Sequence, residues 1–303
     1  MFRPLTFDFR LGLIGYPLEH SISPKLHIAA LKACGLQGDY SLFPIHPDDK
    51  QGLKDILNRV RAGEMQGLNV TIPHKQNVIE LIDELTTSAK TIGAVNTIYL
   101  RENKLIGYNT DAQGFLTDLN QFISKSQSKI ANRKSAVVLG AGGSARGVVF
   151  ALLNDGWDVT LAARRLAQAH QLSTFFTNYQ LRITDFTDLQ PFDTVSESRT
   201  VRATPSTFNL LVNTTPIGMV PNIDQSPLPS NLALSSNTLI YDLVYNPDET
   251  KLVKDARAQG LNATIGLGML IEQAALSFEI WTGHNPSRAI MRASVENRPI
   301  TNL

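Results

Sequence analysis

Along most of the chain, short runs of β-branched and other apolar residues alternate with longer stretches whose apolar positions recur every three or four residues. That alternation predicts strands joined by crossover helices, and hence an α/β fold built on mostly parallel sheets. In the first third, Arg10 to Ile14, the region of Tyr40 to Phe43, Gly67 to Val70 and the region of Asn96 to Leu100 read as strands with helices between them. The segment from Ser124 to Lys134 is polar and lacks a period, so it marks the way into a second unit. That unit opens with a strand at Ser135 to Leu139. Asp158 to Leu161, Leu210 to Asn213 and Thr238 to Asp242 read as further strands, with helices after the first two of these three. Asp188 to Phe208 is rich in Ser, Thr and Pro and reads as a surface excursion. After Gly268, MLIEQAALSFEIWTG predicts a strong helix, and Pro286 to Val295 a final amphipathic one. The expected division is one domain from residues 1–112 with 268–303 and another from residues 113–267, with a cleft between them.

Composition narrows the class. A chain of 303 residues supports two ordinary domains. With 43% hydrophobic residues, 18% charged residues and a formal charge of +1, it has neither a basic field for nucleic acid nor the charge excess of a disordered chain. A small-molecule partner fits best, as a monomer or a homodimer. No stretch reaches the ~20 uninterrupted apolar residues of a membrane span, and MFRPLTFDFR carries no apolar signal core, so a cytoplasmic protein is expected. Cys34 is the single cysteine, which excludes an intramolecular disulfide framework, and it reads as a small buried hydrophobe. His27 and His74 lie nearest the polar clusters described below, but no His, Cys or carboxylate grouping has metal-ligand spacing, and no metal is expected.

SAVVLGAGGSARG, Ser135 to Gly147, places a strand, a Gly-rich turn and a helix start in direct succession, the context a dinucleotide fingerprint requires. Gly140 permits the turn, and Gly142, flanked by Ala141, Gly143 and Ser144, lets the backbone approach a pyrophosphate. Ala145 allows close helix packing. The helix N-terminus then offers free N–H groups and a positive dipole end. A tight turn that binds nothing would look the same. About twenty residues on, where an NAD site places a carboxylate for the ribose 2′-hydroxyl, the chain has Arg164 and Arg165. A guanidinium can hold a 2′-phosphate with paired, charge-assisted bonds, so NADP is favoured over NAD, although a solvated helix start would also explain the arginines.

Three clusters in the first domain hold more polar residues at strand ends than a scaffold needs: HSISPKLH (His20 to His27), NVTIPHK (Asn69 to Lys75), and GAVNTI with GYNTDAQGF (Gly93 to Phe115). Ligands in open α/β sheets bind beyond the carboxyl ends of the strands, and each cluster is read as lying at such an end. With the paired serines, Asn-Val-Thr-Ile-Pro-x-Lys, Asn-Thr-Asp, Gly-Ala-Gly-Gly, NTTPIGM, YDLVYNP and GLGMLIEQAA in this order from Arg10 to Val295, the chain resembles the shikimate dehydrogenase family.

The resemblance implies reduction of 3-dehydroshikimate by NADPH. Lys75 and Asp111 match the family's catalytic pair, which serves the alkoxide formed by hydride transfer; which of the two moves the proton is left open. A surface Lys and a helix-capping Asp are the plain alternatives. Ser21 and Ser23 match carboxylate-binding serines, with Tyr245 assisting, and Thr71, Asn96 and Gln273 match residues that hold the ring hydroxyls. Gly266 and Met269 match positions near the nicotinamide, and Leu243 stands where relatives often carry an apolar side chain; Leu243 and Met269 would equally suit a core. Where many relatives have Asn-Arg-Thr followed by another Arg, this chain has Ala163, Arg164, Arg165 and Gln168, which rests NADP preference on fewer contacts. A quinate/shikimate dehydrogenase using NAD or NADP is the nearest alternative, and a non-catalytic ligand sensor of the same fold a more distant one.

Overall fold

The structure, a computed structural model, describes residues 8–126, 134–186, 208–228 and 234–296. The chain divides into two compact units, residues 1–114 with 270–303 and residues 115–269. Both boundaries fall inside helices, Asp111–Ser126 (α5) and Leu267–Thr282 (α9).

The first unit carries strands Phe9–Gly15 (β1), Gly38–Pro44 (β2), Gly67–Val70 (β3), Glu84–Leu85 (β4), Thr97–Arg101 (β5) and Lys104–Tyr108 (β6), ordered β2-β1-β3-β5-β6-β4. β1 pairs in parallel with β2 and β3, whereas β5 runs antiparallel to both β3 and β6. The β5–β6 connection is a two-residue turn in which Glu102 and Asn103 both have positive φ, the geometry whose twist matches a hairpin. Lys50–Arg61 (α2) shows how the pattern builds the core. Leu53, Ile56, Leu57 and Val60 recur at helical spacing and bury against Ile14, Leu68, Val70 and Ile98, and the Asp49 side chain caps the helix by accepting from Gly52 N. On the other face Trp281 lies over Gly67, where any Cβ would strike its indole, and donates from Nε1 to Ile98 O at 3.1 Å. Ser23–Ala33 (α1), His74–Asn77 (α3), Thr87–Ile92 (α4) and Arg288–Glu296 (α10) complete this unit with the C-terminal part of α9.

The second unit is a doubly wound sheet of Ser135–Leu139 (β7), Asp158–Ala162 (β8), Arg182–Thr184 (β9), Leu210–Asn213 (β10), Leu239–Asp242 (β11) and Ala263–Ile265 (β12). Its order is β12-β11-β10-β7-β8-β9 and every pair is parallel. β10 and β11 are buried throughout, as expected for strands covered on both faces. Gly143–Asn154 (α6) follows β7, Leu166–Ser173 (α7) follows β8 and Lys251–Ala258 (α8) follows β11. The strand order reverses between β7 and β10, so the Gly-rich turn after β7 lies at the switch point where such sheets bind ligands.

Several expectations change. No helix follows β10 among the described residues. Asn213 Oδ1 accepts from Thr215 N at 3.0 Å and Thr215 Oγ1 at 2.7 Å, turning the chain at once, and Pro216, Pro221 and Pro227 withhold backbone donors. Cys34 is half-buried at the C-cap of α1 rather than in the core. Helix α5 runs on to Ser126, three residues into the segment read as a loop. The region from Asp188 to Phe208 lies outside the described residues except for Phe208, which packs against the second unit's core.

Candidate active site

The first unit gathers four of the expected residues in one hydrogen-bonded group. Lys75, at the start of α3, donates from Nζ to Asp111 Oδ2 at 2.5 Å, and both side chains are buried, so neither is a surface charge. Asn96 Nδ2 donates to Asp111 Oδ1 at 2.8 Å and to Gln273 Oε1 at 3.3 Å. Asp111 opens α5 without capping it. Asn109 does that, its Oδ1 accepting from Asp111 N at 3.1 Å and Ala112 N at 3.4 Å, which frees the Asp111 carboxylate for Lys75 and Asn96. A buried ion pair is expensive unless its remaining valences are met, and here the second carboxylate oxygen has the Asn96 amide.

Asn96 lies at the amino end of β5, not at a carboxyl end. Because β5 runs antiparallel to β3, its start falls at the same edge of the sheet as the end of β3, from which Thr71 and Lys75 follow. Thr71 joins this edge through Thr71 N donating to Ile14 O at 2.8 Å, and its methyl fills the space a Cβ on Gly15 would take. Ser21 accepts from Ser23 N at 3.3 Å and Ser23 opens α1, beyond the end of β1. No described hydrogen bond ties Ser21, Ser23 or Thr71 to the Lys75–Asp111 pair. The residues that the sequence did not single out are Asn69, Thr97, Asn109, Thr110 and Ser277, all buried and polar. Their types gave a signal inside the quoted motifs only for Asn69, Thr97, Asn109 and Thr110.

In the second unit Gly140 takes φ +102°, and a Cβ there would meet Thr214 and Thr215 side-chain atoms at 2.9 Å, so the turn demands glycine. Gly142 is the N-cap of α6, no side chain caps that end, and a Cβ on Gly142 would meet nothing within 4 Å. Open space in front of uncapped N–H groups is what a phosphate-binding turn requires. Arg164 and Arg165 are exposed where β8 passes into α7, and Ala163 is buried behind them. Gly266 is pinned by packing: a Cβ there would lie 2.1 Å from Leu243 O, so Leu243 and Gly266 are neighbours. Leu243 and Tyr245 are half-buried and Met269 is buried. Asp242 organises this segment by accepting from Asn213 Nδ2 at 2.8 Å, Val244 N at 3.0 Å and Thr250 Oγ1 at 2.7 Å, and burial pushes its carboxyl up to about 6.

Comparison with known proteins decides the family. The family described as Shikimate dehydrogenase substrate binding domain matches residues 13–98, and the Shikimate 5′-dehydrogenase C-terminal domain matches residues 266–296. The Shikimate dehydrogenase (NADP(+)) of Bacillus subtilis is 37% identical over 289 residues, covering 94% of this chain and 95% of the relative. The chain belongs to the shikimate dehydrogenase family. The Shikimate 5-Dehydrogenase of Thermus thermophilus, solved in complex with NADP(H) and shikimate, matches with a TM-score of 0.78 and 33% identity over 95% of this chain and 98% of that one. A family likeness also extends to the quinate dehydrogenase of Corynebacterium glutamicum in complex with NAD, with a TM-score of 0.81 and 29% identity over 96% and 99% of the two chains. Among the described residues no helix is long and apolar enough to cross a membrane.

Proposed function

We propose that this chain catalyses the reversible NADPH-dependent reduction of 3-dehydroshikimate to shikimate, in the biosynthesis of aromatic amino acids. The observation that carries the reading is the buried Lys75–Asp111 pair, locked by Asn96, in a chain 37% identical to an NADP-dependent shikimate dehydrogenase over 94% of its length. Reducing a ketone creates an alkoxide, and Lys75 with Asp111 supplies the proton that oxygen needs. The carboxylate holds the ammonium at one point, so the proton donor does not have to be ordered during the reaction. Thr71, Asn96 and Gln273 serve the ring hydroxyls, and Ser21 and Ser23 the substrate carboxylate.

Bound NADPH supplies the hydride. The Gly140 to Ser144 turn and the start of α6 fit its pyrophosphate, because a Cβ on Gly142 would meet nothing within 4 Å and no side chain caps the helix. Exposed Arg164 and Arg165 hold the 2′-phosphate. Leu243, Gly266 and Met269 line the nicotinamide. The test is NADPH oxidation by the purified chain with 3-dehydroshikimate, compared with oxidation of quinate and of shikimate by NAD and NADP. Highest kcat/KM for the 3-dehydroshikimate and NADPH pairing is expected; a clear preference for quinate with NAD would overturn the assignment.

A further inference from the structure

Behind the Lys75–Asp111 pair the first unit buries a run of hydrogen bonds whose far members play no part in the reading above. Thr97, Thr110 and Ser277 are fully buried, with Asn96 and Asn69 nearly so. The links that start from a backbone N–H or end on a carbonyl oxygen have a fixed direction. Asn96 Oδ1 accepts from the backbone N of Thr110 at 2.8 Å, so its amide has a single orientation and Nδ2 faces Asp111. A carbonyl oxygen only accepts, so the Thr97 hydroxyl donates to Asn96 Oδ1 at 2.9 Å. Ser277 Oγ donates to Gln273 O at 3.0 Å and lies 2.7 Å from the Thr97 hydroxyl, holding Thr97 against α9. Asn69 in turn donates from Nδ2 to Ser277 Oγ at 3.0 Å and to Asn96 O at 3.0 Å, and its Oδ1 accepts from Tyr40 OH at 2.9 Å. The result is one connected buried set that runs from Tyr40 through Asn69, Ser277 and Thr97 to Asn96, whose Nδ2 donates to the Asp111 carboxylate.

We propose that Thr97, supported by Ser277, is a positioning residue of the reaction. It and Thr110 grip Asn96 Oδ1 from two elements, β5 and the turn before α5, so the amide cannot tilt and Nδ2 keeps Asp111 Oδ1 in place while Oδ2 meets Lys75. Stability alone gives no reason for this wiring, since valine and alanine would fill the same volumes without burying hydroxyls. The links polarise one another in a buried setting, and Asn96 connects them to the carboxylate that holds Lys75. Thr97 acts through Asn96 and touches no reacting atom in this scheme. The proposal rests on the function proposed above.

The experiment measures steady-state kinetics of the full chain with NADPH and 3-dehydroshikimate for the wild type and for Thr97→Val, Thr97→Ser and Ser277→Ala. In Thr97→Val, kcat is expected to fall roughly tenfold, the scale of a small misplacement of a catalytic group, with KM for both substrates held within about twofold. Thr97→Ser restores most of kcat although it loses a buried methyl, and Ser277→Ala lowers kcat by roughly two- to threefold because Thr97 keeps its own bond to Asn96. Wild-type kcat in Thr97→Val, equal losses in the Val and Ser variants, or a change in KM alone would overturn the positioning role. If Thr97→Val does not fold, an unchanged kcat in Ser277→Ala overturns it. A wild-type protein that consumes no NADPH with 3-dehydroshikimate defeats the functional reading itself, whereas robust wild-type turnover with indifferent variants defeats only this inference.

Discussion

The two units bury their polar groups for different ends. In the first, Lys75, Asn96, Asp111, Thr97, Thr110 and Ser277 form one connected set, and the chemistry is carried by side chains. In the second, buried Asn213, Asp242 and Thr250 bond to one another and brace local backbone, and what faces open space is backbone at Gly142, the uncapped start of α6. The difference follows from the tasks proposed for them. Moving a proton takes ionisable groups held in place, whereas a diphosphate is recognised by N–H groups and a dipole that any helix start provides. A side-chain site needs a buried scaffold of partners; a backbone site needs only small residues.

The largest expected effect contrasts one buried titratable group from each unit, His27 and Asp242. His27 is fully buried against Tyr40 and Trp281, and burial pushes it down to about 3 from 6.5, with the Asn69 side chain pulling the other way. Its folded value lies below the unfolded one, so its stabilising effect is complete above pH 6.5 and lost as pH falls toward 3, about 5 kcal/mol in all. Asp242 has the opposite sign. Raised from 3.8 to about 6, it favours the fold most below pH 3.8 and loses that contribution as pH rises through 6, about 3 kcal/mol. Amide hydrogen exchange at about pH 7.5 and about pH 4.5 should therefore show protection falling in β1 and β2 more than in β10 and β11. His27→Phe should remove the acid loss in the first unit, and a variant as acid-sensitive as the wild type would contradict this account.

Next in size is Lys75→Ala. A fall in kcat of roughly a hundredfold or more is expected with substrate affinity kept, read by NADPH consumption. Arg164→Ala sharpens the contrast from the other side. KM for NADPH should rise roughly tenfold while kcat at saturation and the KM for NADH stay as they are. A loss of kcat comparable to that of Lys75→Ala would break the division between chemistry in one unit and binding in the other. Smallest is the helix cap on the surface of the first unit: Asp49→Ala should cost about 1 kcal/mol in urea unfolding. Thr250→Val, at the buried cap of α8 in the second unit, should cost more, because Asp242 loses a donor along with the helix start.

The central strands and the longer helices were legible because their patterns are long enough to show a period. β7 and β10 coincide with the stretches expected from their apolar runs. The short strands β4, β9 and β12, of two or three residues, have no period to read and exist only through their neighbours' pairing. The helix expected after β10 failed on local chemistry that was present in the sequence: an Asn-Thr-Thr-Pro run makes a turn whose first donor is captured by Asn213.

By itself the sequence determined the alternation of strands and helices, the glycine turn after β7, and the residue types of the site, because propensity, periodicity and backbone permissiveness are local properties. The tertiary structure decided which of those residues meet. Asn96 reaches the Lys75–Asp111 pair only because β5 reverses direction beside β3, and Ser277, 180 residues from Thr97, joins it only because α9 packs on that sheet. Such contacts are set by strand order and helix packing, which depend on the whole buried surface and leave no mark on the spacing of any single motif.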